Sequence, residues 1–109
     1  MTMKLILAIM SNDDAPTASS ALTKEGYSVT RLATTGGFLR AGNTTLIVGC
    51  EEDRVEKAIE IMGEYSSRRT EVVPATSSYD IGRFASFPVE VQVGGATIFV
   101  MDVEKFVKL

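Results

Sequence analysis

The chain has 109 residues, enough for one domain with a limited core of its own. Hydrophobic residues at 45% and charged residues at 23% are ordinary for a globular protein and argue against disorder. A net charge of −3, with Lys and Arg scattered, argues against a nucleic acid polymer as partner.

Met3 to Met10 is apolar on both alternating sets of positions, which predicts a strand buried on two faces. Ser11-Asn12-Asp13-Asp14 supplies helix N-caps, and Pro16 suits a first turn, so a helix is expected from Ala15 to Glu25, stopped by Gly26. Tyr27 to Ala33 has strand character, Thr34 to Asn43 reads as a glycine-bearing loop, and Thr44 to Cys50 is a further strand. Glu51-Glu52-Asp53 suits the positive end of a helix dipole. Val55, Ala58, Ile59 and Met62 follow at the spacing of an amphipathic helix that ends near Ser66.

Glu71-Val72-Val73 is expected to be a short strand and Pro74 to Ser86 a polar loop. Val89, Val91 and Val93 alternate with polar residues, and Gly94-Gly95 reads as a two-residue hairpin turn into a strand from Ala96 to Met101. Asp102 is expected to cap a last helical turn through Phe106. The order matches an α+β, ferredoxin-like βαββαβ domain spanning 1–109, with an additional C-terminal hairpin strand. Two helices can cover one face of such a sheet, so the other face predicts a homo-oligomer.

The chain has no histidine, which removes Ser-His-Asp and Cys-His catalysis and His-based metal sites. The lone Cys50 reads as a small buried hydrophobe and needs no oxidising compartment. The acidic runs 12–14 and 51–53 read as helix caps and dipole partners in preference to metal ligands. The apolar start, Leu5 to Met10, lacks a cleavage pattern, and the chain is expected to be cytoplasmic.

The informative run is Thr34-Thr35-Gly36-Gly37-Phe38-Leu39-Arg40-Ala41-Gly42-Asn43-Thr44-Thr45. Adjacent glycines let backbone N–H groups approach an anion, an aromatic such as Phe38 can stack on a base, and Arg40 can meet a phosphate. No Gly-Lys-Ser/Thr follows, so this is not a P-loop; a strand follows it, so it is not a dinucleotide fingerprint. The residues alone support two readings equally: a ligand loop, or a long hairpin whose Phe38 and Leu39 pack on the core or on a neighbouring subunit.

Leu32 to Thr45 is similar to the signature of the PII-like cyclic di-AMP receptors of Gram-positive bacteria. Asp53-Arg54-Val55 and the run from Phe87 to Val100 also resemble that family. The resemblance implies a ferredoxin-like homotrimer without enzymatic activity or cofactor, which binds cyclic di-AMP between subunits and signals to a partner protein through its loops. By position it implies ligand contacts at Thr30, Gly37, Phe38, Leu39, Asn43 and Gly49, with Arg40 or Arg31 as possible phosphate contacts. The chain departs from the family at Gly26, Ser28 and Lys108, where Asn, Arg and Gln are usual. Those departures leave open a different nucleotide, such as ATP, ADP or another cyclic dinucleotide, or a ligand-independent protein-interaction module.

Overall fold

A computed structural model describes residues 2–33, 42–74 and 88–109. The elements are β1 (Met3–Ser11), α1 (Ala15–Lys24), β2 (Ser28–Ala33), β3 (Asn43–Glu51), a 3-10 turn (Glu52–Arg54), α2 (Val55–Tyr65), β4 (Arg69–Pro74), β5 (Pro88–Val93) and β6 (Ala96–Asp102). Strands β2, β3, β1 and β6, in that order, form a four-stranded sheet, and β4 pairs with β5 in a separate two-stranded sheet. Each pairing is antiparallel.

Both helices pack on one face of the larger sheet. Ile6, Ala8 and Met10 of β1 and Leu46, Val48 and Cys50 of β3 are buried there against Ala15, Ala18 and Leu22 of α1 and Val55, Ala58 and Met62 of α2. The helical spacing read from the sequence therefore marks the buried stripe of α2 correctly. Each large apolar side chain removed from water in this way contributes about 1.5–3 kcal/mol. The alternate residues Leu5, Leu7, Ile9 and Ile47 point to the other face and are only half-buried.

Helix α1 ends as its sequence predicts. Gly26 has φ +87°, the left-handed conformation of a helix-terminating residue. The Tyr27 N–H donates to the Leu22 carbonyl at 3.1 Å and the Gly26 N–H to the Thr23 carbonyl at 3.0 Å. This pair of bonds satisfies the last carbonyls of the helix and turns the chain directly into β2.

The start of α1 differs from expectation. Asp14 stands at the cap position but makes no side-chain cap bond. Its nearly buried carboxylate instead receives both guanidinium arms of Arg69, at 3.0 and 3.4 Å, at the base of β4. A planar guanidinium matches both carboxylate oxygens, whereas a cap uses one. The Asp13 and Asp14 N–H groups are served by Ser11 Oγ at 3.2 and 3.3 Å.

The C-terminal region also differs. Gly94-Gly95 does not close a hairpin: β5 pairs with β4 and β6 pairs with β1, so the glycines carry the chain from one sheet to the other. Gly94 has φ +84°, and a Cβ there would overlap the Ser67 carbonyl oxygen. Gly95 N–H donates to the Ser66 carbonyl. Close approach to the end of α2 is what these glycines serve. The fourth strand of the ferredoxin-like sheet is thus β6, and the β4–β5 pair is inserted before it. Asp102 does not cap a helical turn. Its carboxylate pairs with Lys4, and the ladder continues through the Val103 N–H to the Met3 carbonyl at 3.2 Å.

Candidate functional site

The side chains on the half-buried face follow from the register. Thr30 stands opposite Ile47, Ile47 opposite Leu7, and Leu7 opposite Phe99. On one side of that row lie Ser28, Gly49, Leu5 and Met101; on the other lie Leu32, Thr45, Ile9 and Thr97. Residues two apart on a strand share a face, so Ser28, Thr30 and Leu32 line the β2 edge of this surface. Thr30 and Gly49, two of the residues implied by resemblance, are thereby brought to adjacent strands and rows. Gly49 is exposed, and a Cβ built on it meets nothing within 4 Å, so its bare backbone keeps the surface open to a close approach from outside the chain.

Asn43 lies at the start of β3, opposite Ser11. It is six residues from Gly49, about 20 Å at the rise of an extended strand. A ligand that touches both is an extended one. Arg31 stands opposite Leu46, on the helix side of β2, and is not grouped with Thr30 and Gly49. Gly37, Phe38, Leu39 and Arg40 lie outside the described residues.

The departures from the family fall at informative places. Position 26 needs a left-handed backbone, which both glycine and asparagine tolerate. Glycine keeps the turn and gives up the side chain. Ser28 is paired with Gly49, so an arginine at 28 would stand beside the bare glycine backbone. Lys108 belongs to the exposed tail after β6. Strands β2 and β6 are the opposite edges of the sheet with β3 and β1 between them, about 14 Å apart at ordinary strand spacing. Phe106, on the same tail, is 61% exposed.

Arg54 proves to be structural. Its guanidinium lies 4.0 Å from the centre of the Tyr27 ring and donates to the Glu25 carbonyl at 2.8 Å. Tyr27 Oη donates back to the Arg54 carbonyl at 2.8 Å. Lys57 adds an ion pair to Glu25 at 2.6 Å, which holds the Glu25 carboxyl below its usual range and the Lys57 ammonium above its own. This clasp fixes the entry to β2 against α2. Burial pushes the Cys50 thiol up, so it stays protonated at neutral pH as a core hydrophobe does.

Sequence reasoning missed Asn12 as anything other than a cap. The Asn12 N–H donates to the Gly42 carbonyl at 2.8 Å, and its Oδ1 accepts from Thr44 Oγ1. The position of Asn12 at the end of β1, opposite the entry to β3 in an antiparallel pair, is the signal that could have exposed it. Among the described residues, no helix is long and apolar enough to cross a membrane.

The helix-covered antiparallel sheet with an inserted strand pair is a fold shared with solved PII-like proteins. A structure of the nitrogen regulatory PII-like protein CPII from Thiomonas intermedia, bound to ADP, AMP and bicarbonate, matches 94% of this chain and 89% of its own, at 13% identity and a TM-score of 0.58. A functionally unknown protein from Pediococcus pentosaceus matches 100% of this chain and 99% of its own, at 40% identity and a TM-score of 0.79. The family model for the cyclic di-AMP receptor matches residues 3–109. This chain belongs to the cyclic di-AMP receptor family, and the recognition made from its sequence motifs stands.

Proposed function

We propose that this protein is a non-enzymatic receptor that binds cyclic di-AMP in clefts between the subunits of a homotrimer and signals through loop rearrangement to a partner protein. One observation carries the reading. Thr30 on the edge strand β2 and Gly49 beside it on β3 lie toward one side of the sheet, while the tail bearing Lys108 leaves from the β6 edge. A single chain holds these family contact positions apart. Apposing the β2 edge of one copy to the β6 edge of the next unites them.

The half-buried apolar face supports assembly, because Leu32, Phe99 and Met101 are 45%, 43% and 40% exposed beside Leu7 and Ile9. The trimeric number comes from the resemblance, and a mass measurement in solution tests it. A single cysteine, which cannot form an intrachain disulfide, fits a cytoplasmic location.

Thermal unfolding with added cyclic di-AMP is the direct test. At a hundred times its dissociation constant a ligand adds about 2.7 kcal/mol of stability. No shift at millimolar cyclic di-AMP overturns the reading. Ser28 favours one alternative, the same scaffold with another nucleotide, because the usual arginine there supplies a positive charge to an anionic ligand. ATP, ADP and a second cyclic dinucleotide in the same assay decide between them. A response to none of these leaves the ligand-independent interaction module.

A further inference from the structure

The entry to β3 is held on both sides of Asn43 by one residue. Gly42 precedes the strand with φ +91°, and its carbonyl meets the Asn12 N–H at 2.8 Å. Thr44, one residue after Asn43, is buried on the helix side and donates its hydroxyl to the Asn12 side chain. Asn43 itself pairs with Ser11 at the last rung of the β1–β3 ladder. Strand ends fray unless tied, and a strand-end side chain wanders with its backbone. Here the last rung is closed by a backbone bond before Asn43 and a side-chain bond after it, both made by Asn12.

We propose that Asn12 is a positioning residue for nucleotide recognition: it touches no ligand, and it fixes the backbone from which Asn43 reaches the half-buried face. The proposal rests on the receptor reading above for its ligand. Asn12 is exposed and outside the buried core, so losing its amide leaves the fold intact. A precisely held polar group loses less freedom on binding than one that must first be ordered.

The test compares Asn12→Ala, Asn12→Asp and Thr44→Val by calorimetric titration with cyclic di-AMP, with thermal unfolding of each ligand-free variant. Asn12→Ala is expected to weaken binding about tenfold, the factor that corresponds to one hydrogen bond. Its ligand-free midpoint is expected to fall by about 4–8 °C, because the buried Thr44 hydroxyl loses its acceptor, while the variant stays folded. Asn12→Asp keeps an acceptor for Thr44 Oγ1 and is expected to bind nearly as the parent does. The double variant Asn12→Ala/Thr44→Val should be no weaker than either single one, since both cut the same bond.

Parent-like binding by Asn12→Ala, or Asn12→Asp as weak as Asn12→Ala, overturns the proposal. Hydrogen exchange on the ligand-free protein supplies a readout independent of ligand. Asn12→Ala should speed exchange at residues 11–12 and 42–45 and leave Leu46 to Cys50 unchanged. Unchanged exchange at 42–45 overturns the proposal as well. If the parent fails to bind cyclic di-AMP, the receptor reading falls, and the exchange pattern still decides whether Asn12 positions Asn43.

Discussion

Strands β1 and β3 present the same kind of residue to both sides of the sheet and receive two different environments. On the helix side Ile6, Ala8, Leu46 and Val48 have no exposed surface. On the other side Leu5, Leu7, Ile9 and Ile47 are only half-buried, with Leu32, Phe99 and Met101 beyond them more exposed still. Hydrophobicity along a strand is thus a statement about both faces, while the two helices cover one. In the proposed assembly the half-buried face is the part of the molecule that other copies finish.

The helix side gives the largest expected effect. Leu46→Ala removes a fully buried side chain between sheet and helices and should cost about 2–5 kcal/mol of stability, read from urea unfolding. The open side should respond differently. Phe99→Asp on β6 puts a charge among Leu7, Met101 and their neighbours, and it is expected to convert the proposed trimer to monomers in sedimentation while the far-ultraviolet dichroism holds. An oligomer that survives Phe99→Asp would show that this face is not the interface. The smallest effect belongs to Thr45, whose Oγ1 is buried on the open side without a hydrogen-bond partner. Thr45→Val keeps the shape and removes an unsatisfied hydroxyl, so stability should hold or rise by about 1–2 kcal/mol in the same urea titration.

The same contrast explains what the sequence could convey. The doubly apolar β1 and the i, i+3, i+4, i+7 stripe of α2 are local patterns, and both were legible. So was the stop at Gly26, because a helix end is written in adjacent residues. The partner of β6 was not legible, since Gly94-Gly95 between two strands reads the same whether it turns a hairpin or steps between sheets. The Asp14–Arg69 fork joins residues 55 apart, and no periodicity announces it. Asp14 carries the right residue type for a cap, and only the arrival of β4 gives its carboxylate another use. The face of Arg31 could have been read, because period two in β2 puts it on the face away from Thr30. Its positive charge made it attractive as a phosphate contact, and the strand alternation argues otherwise.

If Thr30 and Gly49 of one copy meet the tail bearing Lys108 of another, as proposed, affinity becomes a collective quantity. If β2 of one copy and the tail of another complete each cleft, a dilute chain offers only half a site. Ligand and assembly then stabilise each other by the same free energy, whichever comes first. With such a receptor, a cell that lowered the amount of protein would lower its sensitivity to the messenger as well as its number of receptors.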